Sequence, residues 1–345
     1  MNIQTVNFNG LSFVNAANPH ELEIKDLKRN FGFSPLDLED YVHRTQIPKI
    51  EAFKDYSLIV LDFPFFKQNG SHVNSNGKER TDRTTLSRLL NIPHATLSSI
   101  PIFQMSLPKQ GRIITSHVNL FIGNGYVVVL HEGVLSPINE IFSLCQKTLH
   151  NRSKFMGQGT VFLAYKIIDA LVDACFPVIN ELIIMIEKVD QELENKKTQI
   201  ALEEISITRR NIVFFQTMIK SSMPLFKQLE ERKHKTLNDN MVPYWSNILD
   251  HLMKMAHRLE DSQELIEGIA RSNESLLVSR TNEVIKVLTI FSAIILPLNL
   301  VASIYGMNIQ GLPYAQDPSS FVILLSIMFI IGGSMLLAFK LKRWF

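Results

Sequence analysis

Two cysteines in 345 residues, Cys145 and Cys175, are too few for a disulfide framework; they fit a reducing compartment and read as packing residues. An excess of either charge is missing as well. The 35 basic and 33 acidic residues leave a formal net charge of +2, which gives no case for a nucleic-acid partner. Ten histidines are present, yet there is no His-Glu-x-x-His, no Cys-x-x-Cys and no phosphate loop. We therefore expect no enzyme and no permanently bound cofactor. The stretch Met1 to Asn9 lacks a cationic segment followed by an apolar core, so no cleaved signal peptide is expected there and the large N-terminal part is expected in the cytoplasm.

The most informative absence is local. No charged side chain occurs between Lys286 and Asp317, and none between Asp317 and Lys340. Each gap exceeds the roughly 20 apolar residues that cross about 30 Å of hydrocarbon as a helix. This predicts two transmembrane helices, 286–305 and 319–339. Arg280 and Lys286 precede the first span, and Lys340, Lys342 and Arg343 follow the second. By the positive-inside rule both termini face the cytoplasm of an inner (plasma) membrane, and only the Asn308 to Ser320 segment faces out.

Before the spans, the pattern divides in two. Tyr56 to Leu61, Arg112 to Thr115 and Tyr126 to Leu130 are β-rich runs bounded by turn residues, Gly123-Asn124-Gly125 being the clearest turn, so residues 1–135 read as an α/β domain. Gln68 to Gly77, rich in Asn, Ser and Gly, reads as an exposed loop insertion. From Ser136 the helical period takes over, giving a helical domain over 136–240. Phe162 to Glu194 and Glu203 to Arg232 read as an antiparallel helical pair hinged at Asn195 to Thr198. A stalk helix over 241–285 starts near Pro243. Trp245, Ile248, Leu252, Met255, Leu259, Ile266, Ile269 and Leu276 recur on a seven-residue frame, and no proline interrupts it before Pro297, so the helix should run on into the first span. An outer loop over 306–318 and a basic tail over 340–345 complete the chain.

A helix that only anchors a protein is apolar all round, because polar side chains are costly in lipid. The first span is not. Asn282, Ile285, Thr289, Ser292, Leu296, Asn299, Ser303 and Gly306 are spaced by threes and fours, so its polar residues fall on one stripe that must face protein or water. Interhelical packing and a wet lumen both satisfy that requirement; Asn299, a lone amide at mid-membrane, favours the lumen. One such helix cannot enclose a hydrated ion, so a lumen requires several copies around an axis. Pro297 is either a tolerated kink or a bend that narrows the lumen near Leu296.

At the outer end the chain reads Tyr305-Gly306-Met307-Asn308, then Ile309-Gln310-Gly311-Leu312-Pro313. With Thr281 to Ile290, Pro297 and the terminal Lys342-Arg343-Trp344, this resembles the CorA-type divalent cation transporter family, whose marker is a Gly-Met-Asn tripeptide ending the first of two C-terminal spans. Phe33 to Asp40 and Pro48 to Glu51 look like that family's N-terminal domain, so the resemblance covers nearly the whole chain. It implies an α+β membrane protein: a homopentameric funnel with a cytoplasmic α/β domain, an antiparallel helical pair and a long stalk helix continuing into the pore. It implies a selectivity filter at Gly306, Met307 and Asn308, with Asn308 as the metal-holding ring. A hydrated Mg²⁺, which gives up water reluctantly, suits amide oxygens better than carboxylates. The resemblance further implies that Asn282, Ile285, Leu288, Leu296 and Asn299 line the pore. Leu296, Leu288 and Ile285 would form hydrophobic constrictions. Periodicity alone chooses Thr289 where the resemblance chooses Leu288.

Three departures from the family pattern stand out. Gln310 and Tyr314 leave Asp317 as the only carboxylate of the outer loop. Asn247 and Arg271 stand where members that sense internal Mg²⁺ carry stalk carboxylates, although Asp250 lies close to the first. Asn299 replaces a common hydroxyl residue and would add a second amide ring. Elsewhere, His257 with Asp261, Glu260 with Glu264, and the acidic group Glu187, Asp190, Glu192, Glu194, Glu203 and Glu204 read as ordinary charged surface. The expectation is a passive divalent cation channel, most plausibly for Mg²⁺ with Co²⁺ and Ni²⁺, whose partners are its own copies, membrane lipid and the transported ion; Mg²⁺ is also a possible regulator. A zinc-carrying or exporting relative, and a membrane-anchored scaffold or sensor, are the alternatives.

Overall fold

A computed structural model describes residues 2–43, 47–67, 111–194, 198–237, 240–307, 319–342 and 344. The loop expected at Gln68 to Gly77, hinge residues 195–197 and residues 308–318 lie outside the described residues. The chain divides into two compact units, Met1–Ile269 and Ala270–Phe345.

The first unit is built on a six-stranded sheet. Its strands are β1 (Ile3–Phe8), β2 (Leu11–Ala17), β3 (Lys49–Ala52), β4 (Tyr56–Lys67), β5 (Arg112–Gly123) and β6 (Tyr126–His131), in spatial order β1-β2-β6-β5-β4-β3. Local chemistry makes the hairpins. Asn9 and Gly10 both take positive φ (45° and 78°) in the two-residue turn between β1 and β2, and Gly125 (φ 85°) closes the β5–β6 turn, where Asn and Gly tolerate a conformation that other residues resist. Among the described strands only β2 and β6 pair in parallel, which requires everything between them to cross over.

Helices cover both faces of the sheet. On one side α1 (Glu21–Phe31) and α2 (Pro35–His43) close a core of Val14, Leu27, Phe33, Leu58, Val60, Phe121 and Val128. The other side carries α3 (Ser136–Lys147), α5 (Thr160–Asp173), α6 (Cys175–Glu194) and α7 (Thr198–Glu230), with the short α4 (Leu149–Met156) beside them. The single helix read from Phe162 to Glu194 is two. Pro177 has no N–H to give the Asp173 carbonyl, and its ring would collide with that oxygen, so one helix stops and the next starts around Ala174. Pro224, by contrast, is accommodated within α7, and that helix begins ahead of the Glu203 start expected from the sequence.

After a 3-10 turn at Lys235–Leu237, α8 runs as one helix from Val242 to Tyr305. The indole of Trp245 is fully buried and donates to the Leu237 carbonyl at 3.0 Å, fixing the start of α8. Trp245, Ile248, Leu252, Met255, Leu259 and Ile266 are buried within the first unit, whereas Leu276, on the same frame, is exposed in the second. The second unit consists of the rest of α8 and α9 (Ser320–Leu341). Both helices contain stretches long and apolar enough to cross a membrane.

Candidate functional site

Within the second unit, α8 presents three distinct faces. Ile290 is buried and Ala293, Ile294, Pro297, Leu298 and Val301 are half-buried, so they form the covered face. This face meets α9: a methyl group built on Gly332 would sit 3.7 Å from Leu298 Cδ1. A second face, Val284, Val287, Phe291 and Ile295, is apolar and exposed. The third is the stripe. Asn282, Ile285, Thr289, Ser292, Leu296, Asn299 and Ser303 are all exposed, Leu296 to 72%. At 3.6 residues per turn the stripe is centred roughly 140° from the face that meets α9. α9 therefore satisfies the side of α8 opposite the polar residues and leaves those residues uncovered.

Leu288 and Thr289 are both exposed beside each other on this side. The Thr289 hydroxyl donates to the Ile285 carbonyl at 2.7 Å, so its proton is committed to its own helix backbone. Asn299 makes no side-chain hydrogen bond among the described residues. An amide left that way in an apolar helix needs water, an ion's hydration shell or another chain.

At its C-terminal end α8 stops at Tyr305. Gly306 donates to the Ala302 carbonyl at 2.9 Å and Met307 to Ile304 at 3.4 Å. A Cβ on Gly306 would lie 3.1 Å from the Ala302 oxygen, a tight contact that a slight backbone shift relieves, and its φ is not in the left-handed region. Asn308, the third residue of the expected filter, lies outside the described residues, as do Gln310, Tyr314 and Asp317.

The lower part of α8 has its own polar neighbours in the first unit. Asn247 donates to Asp169 Oδ1 of α5 at 3.5 Å, and Lys166 reaches the same carboxylate at 3.6 Å. Burial, reinforced by Asp169, pushes the adjacent Tyr165 phenol up to about 12. One helical turn on, His251 Nδ1 lies 3.3 Å from Asp173. Sequence reasoning missed Asp169 and Asp173: the residues that meet Asn247 and His251 are 78 positions away, and no local spacing signals that pairing. Asp250 and Arg271 are exposed. His257, expected beside Asp261, pairs with Glu260 at 3.6 Å, and Lys220 binds Glu260 at 3.0 Å. Among the described residues no group of three or more His, Cys, Asp or Glu side chains could hold a metal ion.

Comparison with known proteins bears on this geometry. Residues 82–343 match the profile of the CorA-like Mg2+ transporter protein family. The cobalt/magnesium transport protein CorA of Thermotoga maritima is 25% identical over 315 residues, covering 91% of this chain and 77% of that protein. The cobalt/magnesium transport protein CorA of Methanocaldococcus jannaschii is 19% identical over 334 residues, 97% of this chain and 91% of its own length. The complete structure of the CorA magnesium transporter from Methanocaldococcus jannaschii superimposes with a TM-score of 0.76 at 17% identity, covering 99% of this chain and 94% of that one.

Proposed function

The chain belongs to the CorA-like Mg2+ transporter family, and on that premise we propose that it is a divalent cation transporter that passes Mg²⁺, with Co²⁺ and Ni²⁺ as further substrates, through a lumen lined by the α8 stripe. The observation that carries the proposal is the separation of faces on α8, with the polar stripe set opposite the side that meets α9. Packing between the two spans of one chain does not account for an exposed row containing Asn282, Ser292, Asn299 and Ser303. Copies around an axis would, and five of them are the assembly we infer, with lipid on the apolar outer surface.

In this reading a ring of Asn308 side chains holds the ion by its hydration water, which costs less than stripping Mg²⁺ bare. Asn282 and Asn299 keep the lumen wet, while Ile285, Leu288 and Leu296 form apolar constrictions that close by dewetting. Thr289 flanks Leu288 with its hydroxyl proton turned to the backbone, leaving Leu288 to set the constriction. An inward-negative potential of 100 mV contributes about 4.6 kcal/mol per divalent ion, enough to drive influx without nucleotide hydrolysis. Internal Mg²⁺ would act weakly as a regulator. Asn247 and Arg271 replace carboxylates, and the Asp169 carboxylate beside Asn247 is already engaged by Lys166.

The decisive measurement is flux into proteoliposomes with Mg²⁺, Co²⁺, Ni²⁺ and Zn²⁺ in parallel, comparing the native protein with Asn308→Ala. We expect Mg²⁺ influx in the native protein and loss of most of it in the variant. Undiminished flux in Asn308→Ala would remove Asn308 from the filter, and flux of Zn²⁺ alone would reassign the cargo.

A further inference from the structure

The lysines that flank the two apolar helices lack counter-charges among the described residues. Lys286, Lys340 and Lys342 form no ion pair there, and between Glu283 and Phe345 the only acidic residue is Asp317, in the connection between the helices. Consecutive bilayer spans run in opposite directions, so the approach of Leu298 to Gly332 fixes which levels of α8 and α9 coincide. Lys286 is twelve residues before Leu298, and Trp344 twelve after Gly332. At the helical rise both lie roughly 18 Å from that approach on the same side, about where hydrocarbon gives way to headgroups. Lys286 also stands four residues before Ile290, on the side of α8 that meets α9, and is half-buried there. On α9 the half-buried Phe339 is seven residues from Gly332 and shares its face. Trp344 folds back onto Phe339, with ring centroids 5.5 Å apart and its N–H donating to the Phe339 carbonyl at 3.0 Å. Three lysines and a pair of aromatic rings thus occupy one membrane border. The last carbonyls of α9 offer the lysines only partial negative charge.

We propose that this end of the α8–α9 hairpin binds an anionic phospholipid, its phosphate held by Lys286, Lys340 and Lys342 and its glycerol region resting on Trp344. Charge complementarity selects the occupant. An anionic lipid is concentrated at this depth, and a zwitterionic headgroup brings a cation that the lysines repel. The bound lipid would tie the ends of the two helices together. The inference rests on α8 and α9 crossing a bilayer and not on which ion passes, so it is tested without measuring transport.

The chain has two tryptophans, and Trp245 is sealed inside the first unit, so fluorescence quenching by bromine on lipid chains reports on Trp344. The full-length protein is reconstituted into vesicles of phosphatidylcholine and phosphatidylglycerol at equal mole fraction, with bromine on one lipid or the other. Brominated phosphatidylglycerol should quench as if enriched about fivefold at Trp344, the worth of roughly one well-placed lysine at a membrane surface. Lys286→Gln and Lys342→Gln should each lower that preference by at least about half, and the two combined with Lys340→Gln should abolish it. Arg280→Gln, which removes an exposed basic residue outside the patch, should leave it intact. The unquenched Trp245 emission, at its native wavelength, shows that each variant is folded. Equal quenching by the two lipids in the native protein would overturn the site, and is the result expected if another copy of the chain covers these lysines. A preference that Arg280→Gln lowers as much as Lys286→Gln would also overturn it, leaving only the diffuse field of a basic surface.

Discussion

Asn15 and Asn299 are the same side chain in opposite circumstances. Asn15 sits in the sheet, buried, its Oδ1 accepting from His131 Nε2–H at 2.8 Å while its Nδ2 donates to Asn139 Oδ1 at 3.0 Å. His131 is completely buried, and its Nδ1 accepts the Gly133 N–H at 3.1 Å, so both ring nitrogens are engaged and the imidazole is neutral. Asn299 lies in an apolar helix, exposed, with no partner among the described residues. In the first unit this amide is enclosed with its partners; in the second it is exposed. A stability assay should see one asparagine, and a flux assay the other.

The comparison can be broken at three points. Acid should have the largest effect, and only on the first unit. Burial lowers His131 from its ordinary 6.5 to about 4, so the unfolded chain takes the proton first. Its contribution is intact above pH 6.5 and is lost as pH falls to 4, in all roughly 3 kcal/mol. Urea unfolding of the full-length protein at several pH values, followed by tryptophan fluorescence, should show this slope in the native chain and a shallower one in His131→Gln. Equal slopes would mean that other groups account for the acid sensitivity.

Next comes Asn15→Leu, which strands the His131 N–H in a dry site at a cost of about 2 kcal/mol. Flux per folded molecule should be unchanged. The smallest energy belongs to Asn299→Leu, which should leave unfolding where it was yet reduce Mg²⁺ flux by about tenfold, equivalent to about 1.4 kcal/mol on the barrier. If Asn299→Leu lowers stability as Asn15→Leu does, the Asn299 amide has a packing partner and the division between the two units fails.

Features with a local period are legible in the chain itself. The spacing of Asn282, Ser292, Asn299 and Ser303 identifies the stripe, and the frame from Trp245 to Ile266 identifies the buried side of α8. The Asn124-Gly125 turn is legible for the same reason: the residues that make it are neighbours. Features joining distant residues are not. The parallel pairing of β2 with β6, the contact of Asn15 with His131 and that of Asn247 with Asp169 have no short-range signature. Nor does composition distinguish the half-buried Glu192 and Glu204 from Glu187 or Asp190. All four read as charged surface, and only the α6–α7 pairing shields one oxygen in each of two of them.

The sequence by itself determined that two segments suit a membrane, that the first carries its polar residues on one side, and that the Gly306-Met307-Asn308 tripeptide follows it. Helical spacing and the cost of charge in hydrocarbon suffice for that, because each acts over a few residues. Tertiary structure alone decided which side of α8 meets α9 and which carboxylates lose their water. Those outcomes depend on elements far apart in the chain coming together, and burial is a property of the assembled neighbours rather than of the residue.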